Sequence, residues 1–244
     1  MALSKNEWIR KVARPFWKKS TELQDYQLFM RDDARPIILD NNAVYSCADG
    51  IILYNKIVDN AQEKVEVKGV PYSVDDIMGK DLIDGPCLIC GVFMTFADVH
   101  INRVPYTGTL EYERLDPIST MNMSMDADEE KIFGNKVPHG KKVSGVKNQY
   151  LFNNARMLNT FYVPSLNYKY YVVQVADYDV NTILPFVTKQ KSMVLQGDRF
   201  SFIRWGSQCT MIFPLRKDLN IQPLIGKDFH VEAGVDKIAS LRYN

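Results

Sequence analysis

Short apolar runs separated by turn-forming residues recur along the chain from about residue 37 onward. They read AVYS, GIILY, KVEVKGV, CLICGVFM, YYVVQVA and FSFIRW, and they have the length and the β-branched and aromatic content of strands. Glycines fall between these runs or at their ends, where turns and bulges use the wider backbone freedom of glycine. The pattern predicts a mostly β (α+β) fold with few short helices, and 13 Tyr and 12 Phe agree with it.

Two other segments stand out from the strand pattern. SVDDIMG, residues 73–79, predicts one short helix with Ser73 as its N-cap and Gly79 at its end. Residues 116–149 are polar, charged and rich in turn formers, which predicts a long loop. With 244 residues, nearly half of them apolar, we expect residues 1–244 to form a single domain.

The N-terminal segment, residues 1–28, is basic and aromatic. Residues 5–19 carry six Lys or Arg against one Glu, together with Trp8, Phe16 and Trp17. One interpretation is an amphipathic helix packed on the domain, and the other is a peripheral anchor on an anionic membrane surface. No run of 18 or more apolar residues is present, so we expect no spanning helix.

Charge and cysteine content restrict the remaining classes. A net charge of +1 gives no reason to expect a nucleic-acid partner. The N-terminus lacks the apolar stretch of a signal peptide, so the four cysteines are expected to be reduced in a cytoplasmic protein. Cys87 and Cys90 have the spacing of a redox or half-zinc motif, but their apolar flanks favour buried structural thiols, and we expect no metal site. His139 and His230 lie in polar, turn-rich contexts and are expected to be exposed.

Three short motifs carry candidate chemistry. Gly206-Ser207 lies between two strand-like runs, where glycine permits an unusual backbone and a serine hydroxyl could attack the preceding carbonyl. His100 follows an apolar strand within ADVHINR and is suited to moving a proton. Asp49, in SCADG, could orient a histidine. Each motif alone is more often an ordinary turn or strand end.

Together, and in this order, the motifs resemble the phosphatidylserine decarboxylase family. SCADG resembles its serine-proline-alanine-aspartate-glycine motif, and VKGVPYSVDDIMG resembles its lysine-glycine-x-x-tyrosine-serine segment. FMTFADVHINRVPYTG is similar to the short, archaeal-type branch, LFNNAR resembles the asparagine-glutamate-arginine element, and GDRFSFIRWGSQCTMIFP resembles the processing site. The resemblance covers roughly residues 29–241.

The resemblance implies packed antiparallel sheets with a half-barrel similar to lipoyl or biotinyl carrier domains. It also implies self-cleavage between Gly206 and Ser207, which would convert Ser207 into a covalent pyruvoyl cofactor. The triad residues then fall on Asp49, His100 and Ser207, and the substrate-binding residues on Arg103, Asn154 and Arg156. Such an enzyme is a carboxy-lyase that decarboxylates phosphatidylserine through a Schiff base between the pyruvoyl ketone and the substrate amine.

This sequence departs from the family at two positions, where Cys47 replaces a proline and Ala155 replaces a glutamate. Arg103 stands where the longer branch has a second histidine, as in the short branch. Because Ala155 lacks the carboxylate of the family motif, a second kind of substrate stays open. It is a free amino acid, for example an aromatic one. A third alternative is an unprocessed homologue without enzymatic activity. We expect a homo-oligomer, in the form of a dimer.

Overall fold

The structure is a computed structural model that describes residues 2–17, 31–67, 70–95, 97–119, 153–176, 183–204 and 207–243. Strands dominate it. In chain order they are β1 (Leu3–Ser4), β2 (Ala43–Tyr45), β3 (Gly50–Val58), β4 (Lys64–Val67), β5 (Val70–Ser73), β6 (Cys87–Met94), β7 (Ile101–Arg103), β8 (Gly108–Ser119), β9 (Asn153–Val163), β10 (Tyr168–Ala176), β11 (Ile183–Pro185), β12 (Ser192–Val194), β13 (Arg199–Ile203), β14 (Ser207–Pro214), β15 (Leu219–Pro223), β16 (Phe229–Val231) and β17 (Lys237–Tyr243).

The helical segments are short. They are an N-terminal run of α-helix (Lys5–Trp8), π-helix (Ile9–Ala13) and α-helix (Arg14–Trp17), a helix at Val74–Met78 and a 3-10 turn at Pro164–Leu166. Ser73 accepts a hydrogen bond from the backbone of Asp76, whose carboxylate accepts one from the backbone of Ser73. Gly79 then ends the helix in the left-handed conformation, at φ 66°. The prediction for residues 73–79 is thereby confirmed.

Within the described residues, the strands form four antiparallel sheets. The largest has the order β1-β16-β3-β6-β14-β10-β9-β8-β12, and the others are β11-β13-β7, β15-β17-β2 and β4-β5. The mostly β prediction is confirmed, and each of the six predicted apolar runs contributes a strand. The predicted loop from residue 116 is wrong at its start because β8 continues to Ser119. The rest of that loop, residues 120–149, lies outside the described residues.

The central strands of the large sheet are buried on both faces. Every residue of β6 is buried, which explains its unbroken apolar run CLICGVFM. One face packs in a core that includes Met94 and Cys209, and the other packs in a core that includes Ile89 and Val173. Cys87 and Cys90 are buried free thiols, as expected. Burial raises the pKa of the Cys87 thiol to about 12, which makes it an unreactive thiol at neutral pH.

Gly50 allows β3 to approach β6 closely at the end of the sheet. Its φ is 148°, and a Cβ added there would lie 2.0 Å from the carbonyl oxygen of Phe93 and 3.1 Å from Cα of Met94. No side chain fits in that space. Asp49 directly precedes Gly50, so this contact constrains the backbone that carries the Asp49 side chain.

Candidate functional site

The predicted processing junction lies where the chain passes from the sheet β11-β13-β7 into the large sheet. β13 ends at Ile203 and β14 begins at Ser207. Gly206 and the side chain of Ser207 lie outside the described residues. The backbone of Ser207 is paired with Met94 on one side and Ala176 on the other, so β14 is a central strand from its first residue.

His100 lies beside this junction and is fully buried. Its backbone carbonyl accepts a hydrogen bond from the amide of Ile203, upstream of the junction, at 3.1 Å. Its ring Nε2 lies 3.0 Å from the carbonyl oxygen of Thr95, which directly follows the partner of Ser207 in β6. His100 therefore contacts residue 203, upstream of the Gly206–Ser207 bond, and Thr95, the residue after the partner of Ser207 in β6.

The ring contact determines the tautomer of His100. A carbonyl oxygen can only accept, so Nε2 carries the proton and Nδ1 is the basic nitrogen. Burial lowers the pKa of His100 below its usual value, against the opposing effects of the Thr95 hydrogen bond and the charge of Asp98. The ring is neutral at pH 7 and can act as a general base through Nδ1.

Asp49 is buried close to the end of the large sheet. The guanidinium of Arg35 donates to both of its carboxylate oxygens, and the amide of Ala233 donates to Oδ1 at 2.8 Å. Arg35 lies in segment 31–40, which has no regular secondary structure, and also donates to the carbonyl of Ala233 at 2.8 Å. Sequence reasoning missed Arg35 because nothing in its local pattern indicates a partner in the site.

Asp98 is the carboxylate whose charge acts on His100. Its Oδ2 accepts hydrogen bonds from the amide and the hydroxyl of Thr95, both at 2.8 Å. Its Oδ1 lies 2.7 Å from Nε2 of His230. Burial by itself raises the pKa of Asp98, but the charge of His230 and the hydrogen bonds from His230 and Thr95 outweigh it, so the pKa is lowered.

His230 corrects the expectation that it would be exposed. The residue is only 6% exposed. Its ring stacks on Trp8 of the N-terminal helical segment, with centroids 4.5 Å apart and planes 9° from parallel. The partner Asp98 is 132 residues away in the chain, and that long-range contact is why the polar local context was misleading. Phe16 and Trp17 have side chains outside the described residues, and His139 lies outside them altogether.

The burial of Trp8 also bears on the membrane interpretation of residues 5–19. Trp8 is 2% exposed and packs with Ala13, Ile51 and Ala97. Trp8 is therefore part of the core, so its ring is not available to a membrane surface. The exposed basic residues of the segment, Arg10, Lys11 and Arg14, remain available to a surface.

The residues expected to bind substrate are in different environments. Arg103 is buried and donates to the carbonyls of Gly197 and Asp33 and, at 3.4 Å, to the carboxylate of Asp32. Arg156 is also buried, in β9 of the large sheet, and donates to the backbone carbonyls of three residues: Asp76, Ile77 and Asp116. Two of these carbonyls belong to the helix Val74–Met78.

Asn154 lies in β9, where its backbone is paired with Ile118, and its side chain is outside the described residues.

Burial lowers the pKa of the Arg103 guanidinium, which stays charged at any physiological pH. Arg103 thus has two backbone carbonyl partners and Arg156 has three.

A cavity of about 310 Å³ opens beside the carboxylates of Asp49 and Asp98. It lies between the N-terminal helical segment, segment 31–40 and the ends of the central strands. Asp49, Asp98 and His230 line it, together with Trp8 and Arg31. Within the part of the chain that the structure describes, no three His, Cys, Asp or Glu side chains are arranged to hold a metal ion.

A sequence profile of the phosphatidylserine decarboxylase family matches residues 26–239, most of the chain. The chain belongs to the phosphatidylserine decarboxylase family. This membership confirms the resemblance carried by the five motifs. The family is one of carboxy-lyases, and membership supports a decarboxylase acting on phosphatidylserine over the free amino-acid and non-enzymatic alternatives.

The names of relatives of this phosphatidylserine decarboxylase family member agree with its place in the family. A putative archaetidylserine decarboxylase proenzyme of Methanocaldococcus jannaschii is 36% identical over 84 residues, which are 34% of this chain and 39% of that protein. A phosphatidylserine decarboxylase proenzyme of Chlorobium phaeobacteroides is 25% identical over 194 residues, 80% of this chain and 70% of that protein. One from Ralstonia pickettii is 28% identical over 203 residues, 83% of this chain and 73% of that protein.

No solved structure gives a significant match to the chain. In the described portion of this family member, no helix has the length and apolar content needed to cross a bilayer.

Proposed function

We propose that this chain cleaves itself between Gly206 and Ser207, converts Ser207 into a pyruvoyl group, and then decarboxylates phosphatidylserine. The observation that carries the proposal is the placement of His100. A buried, neutral histidine contacts the chain just upstream of the junction through Ile203 and adjoins the partner of Ser207 through Thr95. The names of the relatives, which describe proenzymes, support a maturation step.

The cleavage requires a base, because a serine hydroxyl is a poor nucleophile at neutral pH. We assign this role to Nδ1 of His100, which would take the hydroxyl proton of Ser207 as its oxygen attacks the carbonyl carbon of Gly206. The peptide bond then becomes an ester. Removal of the α-proton of residue 207 expels the carboxylate of Gly206, and the new N-terminus adds water and releases ammonia.

The position of residue 207 fits a pyruvoyl group. β14 is paired with β6 and β10 from its first residue, so the new end of the chain would be held at the sheet without a covalent link to residue 206. A pyruvoyl group supplies a ketone that reacts with the substrate amine and a carbonyl that accepts the electron pair left by CO2. The residues around it would orient the substrate and move protons.

Asp49 and Arg103 act on the site through neighbours in this proposal. The ion pair with Arg35 ties Asp49 to segment 31–40, and Arg103 holds the same segment through Asp32 and Asp33. Segment 31–40 lines the cavity through Arg31 and Asp33. These contacts support a role in shaping the substrate cavity. For Asn154 and Arg156 we retain substrate binding as the role implied by the family motif.

Intact-mass analysis of three purified proteins tests the proposal. The wild type should give two chains, residues 1–206 and 207–244, with a carbonyl at the start of the shorter one. Ser207→Ala should remain a single chain, since alanine provides no nucleophile. Ser240→Ala, the same change at a partly buried serine in β17, should be cleaved like the wild type.

The same preparations separate the candidate substrates. Release of CO2 is measured from phosphatidylserine in mixed micelles and from free aromatic amino acids. We expect release from the lipid by the wild type and by Ser240→Ala. A wild-type chain that stays intact and carries no ketone would overturn the enzyme proposal, and release from the free amino acid alone would overturn the lipid substrate.

A further inference from the structure

His100 bonds to Thr95 and His230 to Asp98, and the two rings face different surroundings. The Nε2 of His100 donates to the Thr95 carbonyl, the amide and hydroxyl of Thr95 donate to Asp98, and Asp98 accepts from Nε2 of His230. His100 is fully buried next to the processing junction. The ring of His230 instead lines the cavity of about 310 Å³.

We propose that His230 is a second proton-handling residue of the site, oriented by Asp98 and Trp8, which exchanges a proton with the substrate in the cavity while His100 serves the self-cleavage. The inference rests on the proposed decarboxylation and adds a residue to it. This division of roles between His100 and His230 follows from which of the two rings a substrate can reach. A fully buried base can act on a bond of its own chain, whereas an incoming substrate meets the groups that line the cavity.

The ring of His230 is held on two sides. Nε2 must carry a proton, because the carboxylate of Asp98 is charged and can only accept. Stacking on Trp8 fixes the plane of the ring. Nε2 is engaged with Asp98, and His230 lines the cavity, so Nδ1 is the nitrogen that would take up or release a proton there.

The reaction needs one such proton. Loss of CO2 leaves an electron pair that ends on the α-carbon of the substrate, and that carbon must receive one proton to give the amine product. The His230 imidazolium would donate its Nδ1 proton there, become neutral, and regain a proton from solvent through the cavity. No oxidant or reductant is required.

The cavity lies within reach of residue 207. Gly50, Met94 and Ser207 lie on the adjacent strands β3, β6 and β14. β3 and β14 are two strand spacings apart, about 10 Å. Asp49, next to Gly50, lines the cavity, so this part of the cavity lies about two strand spacings from residue 207. The charged groups that line the cavity with His230 are Asp98, which is bonded to its ring, and Asp49, Arg31, Asp33, Glu232 and Asp236.

The test compares the wild type with His230→Gln. Glutamine can keep a donor towards Asp98 but cannot transfer a proton at neutral pH. We expect complete cleavage and normal carbonyl content in the variant, KM within about threefold of the wild type, and kcat lower by about 100-fold or more. One limb of the wild-type plot of kcat against pH should report the group that acts as the acid, and this limb should be absent from the plot of the variant. His139→Gln, the same change at the remaining histidine, should retain wild-type kcat and profile.

A second measurement does not depend on activity. In the uncleaved Ser207→Ala chain, ¹⁵N spectra of the histidine rings are recorded across pH, and His230 is assigned by the signal missing from the Ser207→Ala/His230→Gln chain. We expect Nε2 to be protonated throughout and Nδ1 to exchange its proton reversibly with pH.

Three results would overturn the inference: kcat of His230→Gln within about threefold of the wild type, failure of this variant to cleave itself, or an Nδ1 that never changes protonation. A wild type that releases no CO2 from the lipid would instead overturn the proposed function, and the inference with it. Activity of the wild-type protein therefore separates the two failures.

Discussion

Arg35 donates from both of its terminal nitrogens to the carboxylate of Asp49, and both side chains are almost completely buried. Removing two charges from water is costly, and their mutual attraction with good geometry offsets that cost. The stability of the fold is therefore affected most when one partner of the pair is removed and the other stays buried and charged. The pair also fastens segment 31–40 to the end of the large sheet next to the cavity.

Arg35→Gln should lower the free energy of unfolding by about 3–5 kcal/mol, because it leaves the buried Asp49 carboxylate without its counter-ion. The double variant Arg35→Gln/Asp49→Asn should lose less than the sum of the two single changes. Urea unfolding of these variants in the uncleaved Ser207→Ala chain measures the effect. Lys237→Gln, which breaks the more exposed pair with Asp40, serves as the control and should cost clearly less than Arg35→Gln. Equal losses in the two cases would contradict the role of burial.

His100→Ala should block or greatly slow self-cleavage, and Asp49→Asn should slow it less completely. His100 is the base in this proposal, whereas Asp49 acts on the site at a distance through its ion pair and the position of β3. Conversion of the intact chain into two chains is followed on a denaturing gel over time. Normal cleavage by both variants would show that the catalytic assignment is wrong even though the family is correct.

The pH dependence of cleavage follows from the direction of the His100 pKa. Burial lowers this pKa, so the active neutral form persists at a pH below the usual histidine value of about 6.5. The cleavage rate should therefore be constant from neutral pH to below that value and fall only at more acidic pH. Rates are measured with chain produced by translation in vitro and transferred to buffers of different pH. A rate that halves close to the ordinary histidine pKa would argue against a desolvated base.

Gly50→Ala should prevent the normal pairing of β3 and β6. The added methyl group would lie 2.0 Å from the carbonyl oxygen of Phe93, and the backbone φ of 148° disfavours side chains. We expect a loss of more than about 4 kcal/mol, seen as insoluble expression or a collapsed unfolding midpoint. Gly226→Ala is the matched control, since a Cβ there meets no atom within 4 Å. A soluble Gly50→Ala chain of wild-type stability would contradict the close approach.

Residues 5–19 should bind anionic vesicles reversibly, with basic residues supplying the electrostatic attraction. Trp8 is in the core, so Arg10, Lys11 and Arg14 supply the attraction among the described residues, at about 1 kcal/mol each near the surface. Replacing all three by Gln should weaken vesicle binding by roughly 100-fold at low salt. The same change at Lys189, Lys191 and Lys227, which are exposed elsewhere, is the control for net charge. Equal loss in both triple variants, or no binding by the wild type, would refute a local anchor.

Local pattern predicted the strands and the capped helix, because period, β-branched content and turn residues act over a few neighbouring positions. Ser73 and Gly79 illustrate this, since their roles depend on residues within one helical turn. Arg35 and His230 could not be predicted in the same way. Their partners, Asp49 and Asp98, are 14 and 132 residues distant, and only the sheet brings them together. The motif around His100 was recognisable, but the acceptor of its ring proton was not.

The central position of β14 has a consequence for the fate of the matured protein. Residues 207–243 supply one inner strand and one near-edge strand of the large sheet and two strands of a second sheet. After cleavage between residues 206 and 207, these strands would be held only by non-covalent contacts with the longer chain. Unfolding would then separate two molecules, and regaining the native state would become a bimolecular reaction that slows on dilution. Maturation would thus make folding effectively irreversible, with the lifetime of the protein set by its unfolding rate.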